Sequence, residues 1–238
     1  PEVKKKAYDG RFIDTTTALP FHECYSSAHP MTRSDDKAAR RALLKYLGDL
    51  KLVCGSEIGC DWAVPEVCYG EGMLSPVPFR HPRAGDLPPD LAPVPETYAY
   101  QLNPAVRIPL WELVYHDCLV AYWYWGDTNN TFPELWGRRN LFNALYAVPA
   151  LYMMQHPEQW EQGRERIVAT ETLLAPVFEA VGWEEMTEHQ FVSEDRLVQK
   201  SVFAGGAAVV VNFAKEEREY QGRKIAGESF VMIKEKMD

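Results

Sequence analysis

Two short apolar runs, each closing on a carboxylate, set the strongest constraint on the fold of this chain. Arg11-Phe12-Ile13-Asp14-Thr15-Thr16 and Leu50-Lys51-Leu52-Val53-Cys54-Gly55-Ser56-Glu57 read as strands, and the stretch from Asp35 to Asp49 between them reads as a helix. Ser34, Asp35 and Asp36 offer its caps and first-turn anions, and Ala39, Ala42, Leu43, Tyr46, Leu47 and Leu50 recur at helical spacing as its inward face. Strand, helix and strand in this order make a parallel α/β unit, in which ligands gather where loops leave the C-terminal strand ends. Asp14 and Glu57 stand at those ends. Two carboxylates facing one cleft can cut a glycosidic bond, one acting at the anomeric carbon and the other giving a proton to the leaving oxygen. The plainer reading makes both acids helix caps or solvated loop residues. The flanks weigh against it. The loop from Thr15 to Tyr25 is too long for a cap, and Ile58-Gly59-Cys60-Asp61-Trp62 joins a glycine that permits close backbone approach to an indole face suited to a sugar.

With 46% hydrophobic residues among 238, the chain can bury a substantial core. A net charge of −9 without a Lys/Arg stripe argues against a nucleic-acid surface, because phosphate neutralisation needs clustered cations. No apolar stretch approaches the ~20 residues that cross a bilayer, and no signal-peptide pattern is present, so no membrane partner is expected. Five cysteines without a Cys-x-x-Cys pair support neither a zinc site nor a complete disulfide framework. Cys54 and Cys118, in apolar surroundings, read as small core residues. A metal held by Asp14, Glu57 and either His116 or His22 has no supporting spacing, so neither metal nor other cofactor is expected.

Nine of the seventeen prolines fall within residues 65–105, which reads as a long ordered excursion. A strand is expected near Ile108–Tyr115, leading into Trp123-Tyr124-Trp125-Gly126-Asp127-Thr128-Asn129, where aromatic faces adjoin amide and carboxylate groups. Two helices follow, about Pro133 to Ala147 and about Pro157 to Val181, the second interrupted near Pro176 and closed by Gly182. Beyond His189 the period changes to two. Leu197–Phe203 and Ala207–Phe213 flank Ala204-Gly205-Gly206 as a hairpin, with a further strand pair expected around Glu219–Ile225 and Glu228–Ile233.

Phe-Ile-Asp-Thr-Thr-Thr-Ala (12–18), Gly-Ser-Glu-Ile-Gly (55–59), Glu-Gly-Met-Leu-Ser-Pro (71–76), Ile-Pro-Leu-Trp-Glu-Leu-Val-Tyr-His-Asp (108–117), Trp-Tyr-Trp-Gly-Asp (123–127) and the later Gln-Lys-Ser-Val-Phe and Val-Asn-Phe segments carry a resemblance. Over nearly the whole chain they resemble the α-N-acetylgalactosaminidases of glycoside hydrolase family 129, related to the endo-acting family 101. The resemblance implies an α/β fold in which residues 1–188 form the C-terminal portion of a (β/α)8 TIM-like barrel and 189–238 an antiparallel β-sandwich domain. It also implies a retaining hydrolase of α-linked galactose-type sugars, N-acetylgalactosamine among them, with Asp14 as nucleophile and Glu57 as acid/base. Trp62, Trp123, Trp125, Asp127, Asn129 and His116 then become candidates for substrate subsites. A whole barrel takes about 250 residues and only about ten precede Asp14, so a companion polypeptide is expected to supply the N-terminal strands. The competing function is a non-catalytic carbohydrate-binding protein that uses the same aromatic loops.

Overall fold

The structure, a computed structural model, describes residues 6–75 and 92–234. The middle of the proline-rich excursion lies outside the described residues.

Strands β1 (Gly10–Ile13), β2 (Val53–Glu57), β3 (Tyr69–Glu71) and β4 (Val120–Ala121) form one parallel sheet in that spatial order. Helix α1 (Arg33–Asp49) connects β1 to β2. It starts earlier than the acid-rich segment suggested, because Thr32 closes a capping box with Asp35: its side chain accepts from the Asp35 amide while Asp35 reaches back to the Thr32 amide. Leu44 and Leu47 pack with Leu52, Cys54, Ala63, Val67 and Leu119 against one face of the sheet. The inward face expected of this helix is rotated. Leu43 and Tyr46 are exposed, as are Ala39 and Ala42, since the sheet reaches only the Leu44/Leu47 stripe.

The other face of the sheet carries the strand-end acids. The register pairs Phe12 with Gly55 and Gly55 with Tyr69, so these residues form one layer. Side chains repeat every two residues along a strand, which puts Asp14, Glu57 and Glu71 in the next layer toward the C-terminal ends. Gly55 is required here: a Cβ would lie 2.1 Å from the Tyr69 ring, which crosses over this strand.

Residues 108–115 do not form the expected strand. Pro109 offers no amide to a ladder but opens a turn, its carbonyl accepting from Leu113 at 2.9 Å ahead of the short helix α3 (Glu112–Tyr115). The strand comes later, as β4. Cys118 is exposed, whereas Cys54 is buried as expected. Upstream, α2 spans Glu96–Gln101.

Helix α4 (Trp136–Tyr146), entered through a 3-10 turn at Pro133–Leu135, and helix α5 (Pro157–Val181) follow. Pro176 costs α5 one backbone hydrogen bond without interrupting it, because Leu174, Val177 and Val181 on either side are fixed in the core. The antiparallel sheet has the order β10-β7-β6-β5, from β5 (Met186–Phe191), β6 (Val198–Phe203), β7 (Ala207–Asn212) and β10 (Ser229–Lys234). β8 (Arg218–Tyr220) and β9 (Arg223–Ile225) pair with each other, and β10 pairs with β7 rather than with residues 219–225. Asn212 fixes this crossing by donating to the carbonyls of Glu216, Ile225 and Ala226. Val209, Val211, Phe203 and Phe213 join Phe142, Leu145, Val177 and Trp123 in the largest core, which draws on both sheets' regions. The opposite face of the antiparallel sheet covers a smaller core of Val198, Ala208, Val210, Ile225 and Ile233 beneath the β8–β9 ribbon.

Candidate active site

A cavity of about 670 Å³ opens at the C-terminal ends of the parallel strands, lined by Phe12, Asp14, Thr15, Glu57, Glu71, Tyr124, Thr128 and residues 151–153. Both acids singled out from sequence face it. The Thr15 amide donates to Asp14 Oδ1 at 3.0 Å and to Glu57 Oε2 at 3.3 Å, so one N–H serves both carboxylates. The two accepting oxygens therefore lie no farther apart than these two bonds laid end to end. Thr15 achieves this with φ +56°, a left-handed conformation unfavourable for a β-branched residue. The surrounding loop fixes it there. Thr17 donates to Ser56 Oγ at 3.0 Å, and Ser56 in turn donates to the Ile13 carbonyl at 2.6 Å. From α1, the Arg40 guanidinium donates to the carbonyls of Thr16, Leu19 and Pro20 while paired with Asp36 at 2.7 Å. Asp36 also accepts from the His22 amide, and that bond leads in holding its carboxyl below the usual range.

Glu57 has a second partner that sequence reading did not identify. Tyr124 donates its hydroxyl to Oε1 at 2.7 Å. Its reach depends on Ser75, whose Oγ accepts from the Tyr124 amide at 2.9 Å and so ties the end of β3 to the chain leaving β4. Glu71, which opens the Glu-Gly-Met-Leu-Ser-Pro motif and is a further residue that sequence reasoning misses, pairs with Glu57 across β2 and β3. Burial first, then the negative charges of Glu57 and Asp14, push its carboxyl up to about 7. The signal for finding it was its position, a third acid at the end of a third strand, masked by the shortness of β3.

Of the expected sugar platforms, Trp62 and Trp123 do not line the cleft. Trp123 is fully buried, with Nε1 donating to Asn143 at 2.7 Å. Asp127 and Asn129 are also fully buried, Asp127 accepting from Gln101 and Asn129 donating to Asn140. His116 is held between the carbonyls of Glu184 (2.6 Å) and Tyr146 (2.9 Å) and does not line the cleft. Trp62 rests on Phe21 at 5.3 Å and on the α1 core, and does not line the cleft. The Trp125 side chain lies outside what is described. Trp123 therefore belongs to the core, packed with Leu141, Phe142 and Leu145 of α4. The aromatic walls of the cleft are instead Phe12, Tyr124 and Tyr152. Among the described residues no three His, Cys, Asp or Glu side chains converge in a way that could hold a metal ion.

The fold recurs in known structures. The α-N-acetylgalactosaminidase NagBb from Bifidobacterium bifidum, ligand-free, superposes with a TM-score of 0.63 at 25% identity, over 89% of this chain and 31% of that one. Its quadruple mutant gives 0.64 at 25% identity with the same coverage of each chain. Its GalNAc complex gives 0.67 at 23% identity, over 98% of this chain and 32% of that one. The chain thus spans about a third of the length of these structures. No curated protein matches the sequence. The family described as "Glycosyl hydrolases related to GH101 family, GH129" matches residues 2–83 and 89–202, most of the chain. With an α/β sheet that ends in paired carboxylates, and a family match running across both of its regions, the chain belongs to glycoside hydrolase family 129.

Proposed function

We propose that this chain carries the cleft of a retaining glycoside hydrolase that releases α-linked galactose-type sugars, N-acetylgalactosamine among them. The observation that carries the reading is the Thr15 amide shared by Asp14 and Glu57. A single N–H reaching both carboxylates favours a short separation, compatible with the ~5–5.5 Å of retaining pairs. Asp14 attacks the anomeric carbon, the bond to the leaving oxygen breaks, and Glu57 gives that oxygen its proton. Glu57, now a carboxylate, takes a proton from water, whose oxygen displaces Asp14 and restores the starting configuration.

The binding-protein reading loses its main support with Trp123 in the core and Trp62 outside the cleft. We retain as part of this proposal that residues 1–188 belong to a (β/α)8 barrel and that 189–238 form a β-domain packed on it. Among the described residues β1 and β4 each have an unpaired edge, and Leu43 and Tyr46 expose apolar surface on α1. These features suit a companion polypeptide segment that continues the barrel and covers that face.

The test is hydrolysis of α- and β-glycoside panels by the full-length protein and its variants. Asp14→Asn should abolish turnover, and Glu57→Gln should slow substrates with poor leaving groups more than activated ones. Azide should rescue Asp14→Ala or Glu57→Ala, with NMR identifying the product anomer. Wild-type turnover by Asp14→Asn, or an inverted first product, overturns the mechanism.

A further inference from the structure

Each of the strand-end acids in the cleft is followed by a residue with positive φ: Thr15 (+56°) after Asp14, Ile58 (+49°) after Glu57 and Gly72 (+84°) after Glu71. Two of these residues are β-branched, for which the left-handed region is costly, by about 1–3 kcal/mol each. The same backbone device thus ends β1, β2 and β3, and in each case it turns the chain away immediately beyond a carboxylate. Residues of this kind cluster where a side chain must be held in one direction. Glu71 shares the device, the register layer and the cavity with Asp14 and Glu57.

It differs from them in two ways. Asp14 and Glu57 have hydrogen-bond donors in the protein, whereas no hydrogen bond or ion pair to Glu71 is found among the described residues. Glu71 also lines a second cavity of about 590 Å³, bounded by Phe12, Tyr69, Tyr122, Leu151, Tyr152 and Met154, in which it is the only ionisable group other than tyrosines. The two cavities meet at Glu71, Phe12, Leu151 and Tyr152. The sheet order places Asp14, Glu57 and Glu71 on successive strands, so Glu71 stands beyond the acid on the side away from the nucleophile. In the proposed reaction that is the side of the leaving group.

Resting on that glycosidase reading, we infer that Glu71 is a specificity-determining residue that hydrogen-bonds a polar leaving group. The ligand chemistry is a leaving group that bears an oxygen acceptor close to the glycosidic oxygen, as a second sugar does and a nitrophenyl group does not. Glu71 meets it as the protonated acid, the form favoured below about pH 7. The charged or titratable groups facing it are Asp14 from β1, Glu57 from β2, Tyr69 on its own strand, Tyr122 and Tyr124 from the chain around and after β4, and Tyr152. Burial raises the phenols of Tyr69, Tyr122 and Tyr152, so these three stay neutral across the range that matters.

The experiment compares kcat/KM of the full-length protein on an α-galactosaminide carried by a second sugar and on the nitrophenyl glycoside of the same sugar. Glu71→Ala should lose about tenfold more on the disaccharide than on the nitrophenyl substrate, the worth of one hydrogen bond to substrate. Glu71→Gln keeps a neutral donor and should restore the ratio. In the wild type the ratio should fall as pH rises through 7, and in Glu71→Gln it should stay level. Thermal melts of both variants separate these effects from loss of fold. Equal losses on both substrates, or a pH-dependent ratio that survives in Glu71→Gln, overturn the role of Glu71 while leaving the glycosidase reading intact. A wild type that cleaves neither substrate overturns both.

Discussion

Tyr124 and Glu57 come from segments 67 residues apart, and the tyrosine hydroxyl lies 2.7 Å from the carboxylate oxygen Oε1. With the Thr15 amide on Oε2, both oxygens of Glu57 are oriented by donors from neighbouring strand ends. Tyr124→Phe removes one of them and leaves the ring packing in place. A hydrogen bond to a charged group contributes about 1.5–3 kcal/mol, so kcat should fall roughly 10- to 100-fold with a smaller change in KM. Steady-state kinetics decides it, and an unchanged kcat would show that Tyr124 does not orient the acid.

Arg40 governs the other acid from a distance. Its guanidinium holds the carbonyls of Thr16, Leu19 and Pro20, the loop that begins at Asp14. Arg40→Lys keeps the charge but cannot span these acceptors with a fixed fork. We expect kcat to drop at least tenfold with an unchanged far-UV CD spectrum, since a small misplacement of a reacting group is costly. Protease cleavage within residues 15–22 should accelerate in parallel.

Trp123 and Asp127 are predicted to affect stability rather than substrate affinity. Trp123→Ala removes a fully buried indole and should cost about 3–5 kcal/mol in denaturant unfolding. Asp127 lies near the fully buried Arg139, whose three guanidinium nitrogens have no hydrogen-bond partner among the described residues. Asp127→Asn leaves that cation less compensated and should also lower stability in denaturant unfolding. A raised KM with unaltered stability in either variant would return that residue to the substrate site.

Glu112 supplies a pH dependence of stability. It is wholly buried, and burial, opposed in smaller part by Arg107, pushes its carboxyl from 4.5 up to about 7. The folded state therefore holds a proton that the unfolded chain releases, and this contribution is fully present below pH 4.5 and lost as pH rises through 7. The difference amounts to about 3 kcal/mol for this one group. In Glu112→Gln the decline between pH 5 and pH 8 should shrink by that order, which urea unfolding at the two pH values measures. His189 acts in the opposite sense: burial lowers it to about 4, so its contribution is lost as pH falls from 6.5 through 4.

The sequence by itself determined the local elements with strong periodicity or punctuation. The β1–α1–β2 unit with its terminal acids, the helices after Pro133 and Pro157, and the hairpin around Gly205 are all set by patterns within a few residues. It also determined that Asp14 and Glu57 would share an end of the sheet, because parallel strands joined by a helix must point the same way. The tertiary structure decided what depends on partners distant in the chain. β3 and β4 are too short to announce themselves and exist through pairing with β2 and with each other. That pairing brings Glu71 and Tyr124 to Glu57. Trp123, Asp127 and Asn129 have the composition of a sugar site and the location of a core, since burial follows from what packs above a segment and composition does not encode that. The same holds for α1, where Leu47 and Leu50 of the expected face pack inward and Leu43 and Tyr46 do not: periodicity marks an apolar stripe, and only the position of the sheet selects which part is covered.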